Sequence, residues 1–309
     1  MGKTAFIFPG QGSQYVGMGK ELAEHFSVAQ ETFNEANGAL GFDLQRLCFE
    51  GPEDELKLTA NTQPSILTVS IAALRVLRQE LGWHADYLAG HSLGEFSSLV
   101  AADAMSFRDA VRMVRLRGQF MQEAVPVGTG GMAAVLGLER PHVEELCQRA
   151  AQSEVLTPAN FNSPGQIVIS GHMKAIERGI ALAQAMGAKK AVLLQVSAPF
   201  HSSLMETAGQ RLGAELAQIE INELKTPVVT NVEAEPNIEK ERVQDLLVRQ
   251  VSSPVRWEDS MRRMIQLGVE RFVEIGPGKV LIGLLRRIDG TRKMFHLEDL
   301  ASLVQLKDA

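Results

Sequence analysis

Tyr87-Leu88-Ala89-Gly90-His91-Ser92-Leu93-Gly94-Glu95 sets a serine between two glycines where an apolar strand gives way to a helical pattern. In this G-x-S-x-G arrangement the glycines allow a sharp turn, so the serine hydroxyl stands exposed at the carboxyl end of a sheet. The residue after the serine opens a helix, and its free N–H groups point at any oxyanion formed when Ser92 attacks a carbonyl. Ser92-Leu93-Gly94-Glu95 also fits an S-x-x-E capping box, in which Ser92 only starts the helix. A cap alone gives no reason for a glycine on either side. Glycine in the first helical turn costs roughly 1 kcal/mol relative to alanine, so both glycines point to close backbone approach.

Outward from this elbow, residues 4–8 read as a short buried strand and Pro9-Gly10-Gln11-Gly12-Ser13-Gln14 as the loop at its carboxyl end. Helical patterns follow, among them 62–81 with Pro64 in its first turn, and after the elbow come helices from Leu93 and from Ser106. From Gly130 the order becomes strand (131–136), helix (141–151), strand (155–161), strand (166–170), helix (173–186) and strand (191–196). This is a β-α-β-β-α-β, ferredoxin-like run. Pro126, Gly128 and Gly130 punctuate its start and Ser197-Ala198-Pro199 its end, which marks an insertion. The chain then divides into a large α/β catalytic domain (1–127 and 197–309) and a small ferredoxin-like subdomain (128–196). Strands at 227–231 and 271–275, the latter ending in Gly276-Pro277-Gly278, restore the α/β alternation. The fold class is therefore α/β: a doubly wound, mostly parallel sheet with an α/β-hydrolase-like core and sites at the strands' carboxyl ends.

A chain of 309 residues with 45% hydrophobic content can fill one large core and a smaller one. With 31 Lys and Arg against 37 Asp and Glu, the net charge of −6 and basic runs no longer than two argue against a nucleic-acid partner. The apolar run at the amino terminus is cut short by Pro9 and cannot form a signal-peptide core. The longest apolar stretch, 66–77, contains Thr68, Ser70 and Arg75 and reads as a buried helix, so no membrane association is expected. Cys48 and Cys147 lack metal-ligand spacing. They suit reduced core thiols in a cytoplasmic protein, with no metal site expected.

A serine hydroxyl needs a base to take its proton. Of seven histidines, His91 adjoins Ser92 on an extended segment and points the other way, which makes it a doubtful base. His201 lies in Ser197-Ala198-Pro199-Phe200-His201-Ser202, a loop after an apolar strand, and is the candidate base. His25, His84, His142, His172 and His296 read as surface or satisfied core residues. In the helix from Ser106, Phe107, Ala110, Val111, Val114, Gly118 and Met121 mark an apolar face that also carries Arg117. A guanidinium aimed inward needs an anion, either an internal carboxylate or a substrate carboxylate held by its planar fork. Gly10-Gln11-Gly12 is no dinucleotide fingerprint, because Tyr15 stands where the third glycine belongs, and no G-K-[ST] follows. Such a turn suits a second backbone N–H for an oxyanion.

Phe8-Pro9-Gly10-Gln11-Gly12-Ser13-Gln14, Gly90-His91-Ser92-Leu93-Gly94-Glu95, Arg117, Asn160-Phe161-Asn162 and Phe200-His201, in this order, closely resemble the malonyl-CoA:acyl carrier protein transacylase family of bacterial fatty acid synthesis. The resemblance runs essentially end to end. It implies that Ser92 takes up the malonyl group, His201 acts as general base and acid, and Arg117 binds the malonyl carboxylate. It further implies an oxyanion hole from the N–H groups of Gln11 and Leu93, and a Gln250 main-chain carbonyl that orients the histidine in place of a triad carboxylate. His91, Asn160, Asn162 and Phe200 are its supporting residues, and Leu93 and Phe200 resemble the malonyl-selective form. Malonyl-CoA and phosphopantetheinylated acyl carrier protein would be the substrates of a ping-pong reaction, with no bound cofactor, in a monomer. Carrier proteins are acidic, so a local basic patch is expected, with Lys189-Lys190 and Arg286-Arg287 as candidates. The residues alone leave two rivals open: a serine hydrolase (thioesterase or carboxylesterase), which predicts a carboxylate between serine and histidine in chain order, and a non-catalytic α/β binding module.

Overall fold

The computed structural model describes residues 2–126, 128–196 and 198–308. The first apolar run forms strand β1 (Lys3–Phe8), buried along both faces. Phe6 and Phe8 join the core on one side of the sheet, Ala5 and Ile7 the core on the other. A strand that is apolar on both faces requires cover on both, which is the condition for a parallel, doubly wound sheet.

The later strands are β2 (Tyr87–Gly90), β3 (Gly130–Leu136), β4 (Leu156–Ser163), β5 (Gln166–His172), β6 (Lys190–Leu193), β7 (Val228–Val229), β8 (Pro236–Asn237), β9 (Val269–Ile275) and β10 (Lys293–Leu297). The large sheet has the order β10-β9-β1-β2-β7-β8 and is parallel except for β8, which runs antiparallel to β7. The small sheet, β4-β5-β3-β6, is antiparallel throughout. Helices Arg140–Ala151 and Met173–Ala185 close its core with Val143, Leu146, Ala175 and Ile176 against Ala133, Val135 and Ile169. That order and connectivity are ferredoxin-like, as the sequence predicts. Cys48 and Cys147 are buried free thiols. No helix among the described residues is long and apolar enough to cross a membrane.

Three expectations need correction. The strand expected at 191–196 ends at Leu193. Leu194 N still donates to the Met132 carbonyl at 2.9 Å, and the side chains of Leu194 and Val196 line a pocket. The strand expected at 227–231 pairs only at Val228 and Val229, since Asn231 turns in towards the elbow. The long helix begins at Thr59, so Pro64 lies inside it and not in its first turn. Proline has no N–H for the Ala60 carbonyl, and Arg115 Nη1 donates to that oxygen instead, at 2.9 Å. The short strands β8 and β10 carry no recognisable pattern in the sequence. Val127 and Ser197, where the expected domain boundaries fall, lie outside the described residues.

The proline-bearing helix Thr59–Leu81 packs closely on helix Phe107–Glu123, whose N-cap is Ser106, accepting from Asp109 N. Gly118 permits the approach: a Cβ there would sit 2.7 Å from Ala60 Cα. Gly118→Ala should therefore destabilise the protein by about 1–3 kcal/mol through overpacking. Gly38, in helix Ser27–Leu40, has open space where a Cβ would stand, with no atom within 4 Å. Gly38→Ala should stabilise by up to about 1 kcal/mol. Urea unfolding of both variants tests the pair, and a Gly118→Ala midpoint at or above wild type would contradict the close-approach account.

Candidate active site

The elbow is built from backbone contacts that only glycine permits. A Cβ on Gly90 would lie 1.9 Å from the Gly94 carbonyl carbon, and one on Gly94 would lie 2.2 Å from the Phe8 carbonyl oxygen. Helix Gly94–Ala101 is thus pressed onto the ends of β1 and β2, and Ser92 is bent into the left-handed region at φ 52°. A non-glycine residue there costs of order 1–2 kcal/mol. The bend is held from both sides. Ser92 N donates to Asn231 Oδ1 at 2.7 Å, and the Ser92 carbonyl accepts from Gln250 Nε2 at 2.9 Å. The N-cap of this helix is Leu93, and Ser92 Oγ bonds His201 and Arg117 instead, so the capping-box reading fails.

The hydroxyl instead meets two partners from distant parts of the chain. His201 Nε2 lies 2.8 Å from Ser92 Oγ, and Arg117 Nη2 donates to the same oxygen at 3.0 Å. His201 is also left-handed, at φ 58°. Its Nδ1 faces two main-chain oxygens, Gln250 O at 2.9 Å and Ser253 O at 3.1 Å. Carbonyls only accept, so Nδ1 carries the proton and Nε2 presents its lone pair to the serine hydroxyl. Both carbonyls belong to the carboxyl end of helix Lys240–Ser252. The short parallel contact of Asn160 with Val255 ties that end to β4.

Arg117 is 2% exposed. Nη1 donates to Gln63 Oε1 at 2.7 Å and Nη2 to Gln250 Oε1 at 2.9 Å, while Phe96 lies under the guanidinium with its ring centre 5.9 Å away. Among the described residues its hydrogen-bond acceptors are neutral, and Nε has none. An internal carboxylate, one of the two anions the sequence leaves open, is therefore not a direct partner; Glu95 acts on it only through space. Burial lowers the guanidinium to about 10, which leaves it charged at neutral pH.

One pocket collects Gln11, Ser92, Leu93, Arg117, Asn160, Phe200 and His201, with Gln63, Met121, Met132, Leu194 and Val196 completing its wall. Among the described residues, neither Gln11 N nor Leu93 N donates to a protein acceptor. His91 also faces the pocket, but its Nε2 lies 2.8 Å from Asn162 Oδ1 and its ring sits against Trp257, so it turns away from Ser92 Oγ as the alternation predicts. Gln63, Glu95, Asn231 and the Ser253 carbonyl join the site without having been expected there. Only Asn231, a polar residue closing an apolar strand, leaves a usable signal in the sequence. Of the basic candidates, Lys189, Lys190, Arg286 and Arg287 are all exposed, and Arg287 donates to Gln166 Oε1 at 2.8 Å.

The family model of the acyl transferase domain matches residues 5–298. The malonyl CoA-acyl carrier protein transacylase of Escherichia coli (strain K12) is 50% identical over 291 residues, 94% of each chain. The chain belongs to the malonyl CoA-acyl carrier protein transacylase family. A crystal structure of an acyl carrier protein S-malonyltransferase from Vibrio cholerae superposes with a TM-score of 0.96 at 47% identity, covering 98% of this chain and 99% of that one. A type II PKS acyl-carrier protein in complex with its malonyl-transacylase gives 0.97 at 44% identity, covering 99% and 100%. Family membership fits the His201 geometry, since the imidazole is held by carbonyls where the rival hydrolase reading predicts a carboxylate.

Burial and the Arg117 charge hold His201 well below the ordinary histidine range, at about 3. The imidazole is then neutral wherever the protein is folded near neutrality. Labelling of Ser92 by a fluorophosphonate should stay nearly flat from about pH 8 to about pH 5, whereas an ordinary histidine would halve it near 6.5. The stability sign follows from the same depression. The unfolded chain binds a proton at this residue below about pH 6.5 and the folded protein does not, so the site removes stability as pH falls, by up to about 1.4 kcal/mol per unit. A labelling midpoint near 6.5 would contradict the assignment.

Proposed function

We propose that this protein transfers the malonyl group of malonyl-CoA to the phosphopantetheine thiol of acyl carrier protein through an ester on Ser92. The observation that carries the reading is the convergence on one hydroxyl of a neutral imidazole and a buried guanidinium, at 2.8 and 3.0 Å. The imidazole makes the serine a nucleophile. The guanidinium, bonded only to neutral acceptors among the described residues, retains the charge that a malonyl carboxylate would meet. An esterase acting on uncharged acyl groups has no use for it.

In the first half-reaction Ser92 Oγ attacks the thioester carbonyl as His201 Nε2 takes its proton. The N–H groups of Gln11 and Leu93 receive the oxyanion. The C–S bond then breaks and the imidazolium returns the proton to the departing CoA sulfur. In the second, the carrier thiol gives its proton to Nε2, its sulfur attacks the Ser92 ester, and the proton goes back to Oγ. Thioester is exchanged for thioester, so the pocket's main task is to keep water from the ester. Its apolar wall of Met121, Met132, Leu194, Val196 and Phe200 suits that task. The Gln250 carbonyl keeps the imidazole in the required tautomer, and Asn160, Asn162 and His91 support the wall on the side of the small sheet. No bound cofactor enters any step. We also read the chain as a large domain (1–127 and 197–309) carrying a small one (128–196), monomeric and cytoplasmic, where reduced Cys48 and Cys147 are at home.

Exposure to malonyl-CoA should leave a malonyl adduct on Ser92, detected by intact mass, that Ser92→Ala lacks. His201→Ala should fold but acylate more slowly by orders of magnitude. Arg117→Ala should cost malonyl transfer about 2–5 kcal/mol, as when one member of a buried charge pair is removed. Acetyl transfer should lose far less, since it strands no carboxylate. Equal losses in kcat/KM for the two acyl groups would make Arg117 a structural residue and remove the carboxylate clamp.

A further inference from the structure

Behind Ser92 lies a buried carboxylate that the chemistry above does not use. Glu95 follows Gly94 in helix Gly94–Ala101 and is 2% exposed. It is not part of the acyl pocket's wall; it borders a small separate cavity with Leu99, Thr230, Asn237 and Val243. A helix that needed only packing here would carry an apolar residue, because a buried carboxylate without a direct cation is costly.

Its hydrogen bonds show where it acts. Glu95 Oε2 accepts from Asn231 N at 3.1 Å and from Gln250 Nε2 at 2.8 Å. Those two residues hold the machinery. Asn231 Oδ1 takes the Ser92 N–H, and Asn231 Nδ2 donates to the Gly90 carbonyl, each at 2.7 Å. Gln250 uses its main-chain carbonyl on His201 Nδ1 and its side-chain amide on the Ser92 carbonyl and on Arg117. A carboxylate and a carbonyl only accept, and a guanidinium only donates, so a single orientation of the Gln250 amide satisfies all three. Without Glu95, the Asn231 N–H and one Gln250 hydrogen are left buried and unsatisfied. Relieving them moves the two residues whose hydrogen bonds hold the Ser92 backbone and the His201 ring.

We propose that Glu95 is a positioning residue for acyl transfer, fixing through Gln250 and Asn231 the bend that presents Ser92 and the carbonyl that holds His201. The proposal rests on Ser92 and His201 being nucleophile and base. Burial raises the Glu95 carboxyl to about 7, against the pull of its hydrogen bonds and of Arg117. The acceptor role survives that change, because one oxygen takes both donors and the other is free to carry a proton.

The test is the rate of Ser92 labelling by a fluorophosphonate, which needs no malonyl group, beside malonyl and acetyl transfer. Glu95→Leu should lower labelling and both kcat values together, by about tenfold or more, the usual scale for a stranded buried donor. KM for either thioester should change little. Glu95→Gln, which keeps an acceptor oxygen, should recover most of the loss. Should Glu95→Leu not fold, Glu95→Asp, one methylene too short, carries the same expectation. Labelling within twofold of wild type in a folded Leu or Asp variant would overturn the proposal, as would a Gln variant no better than Leu. Loss of malonyl transfer by wild type, with labelling intact, would instead count against the proposed substrate.

Discussion

A charged guanidinium held in the interior beside a serine hydroxyl constrains everything around it. Transfer of an isolated charge to a low-dielectric interior is prohibitive, and a fixed set of dipoles has to replace the lost water. Gln63 and Gln250 supply those dipoles from two different helices, and the Phe96 face supplies another contact. The same charge sets the state of its neighbour, since repulsion from Arg117 adds to burial in keeping His201 unprotonated. The charged guanidinium and the neutral imidazole are in this way one electrostatic arrangement. Moving either would require rebuilding the other.

The sheet makes the arrangement possible by delivering several segments to one edge. The ends of β1 and β2 supply Gln11 and the elbow, and the turn after β7 supplies Asn231. Helices then bring the charged and polar groups in from the sides. Two residues in strained backbone conformations, Ser92 and His201, face one another across this junction. The strain at Ser92 is tolerable because each of its polar main-chain atoms is independently tied down.

Much of this is legible in the residues. Gly90 and Gly94 announce contacts that no side chain survives, and Arg117 betrays itself by sitting at helical spacing among apolar residues. What stays hidden has a common cause. The groups that orient His201 are carbonyl oxygens, and a carbonyl looks the same at every position of a sequence. Glu95 carries a plausible local explanation as a capping residue, which masks its tertiary one. Leu194 and Val196 alternate like strand residues because a pocket wall and a sheet face impose the same periodicity on an extended chain. Gln63 is one of several buried polar residues on its helix, with Thr62, Ser65 and Thr68, and only its partner singles it out.

The pairing of β4 with the stretch around Val255 links the small sheet to the anchorage of the His201 imidazole. Phe161 N reaches the Val255 carbonyl and Val255 N the Ala159 carbonyl, two residues beyond the Ser253 oxygen that faces the imidazole. A hinge that parted the small sheet from the large one along this seam would pull on the ring's anchorage with the same stroke. The seam therefore ties the place of the His201 ring to that of the small sheet.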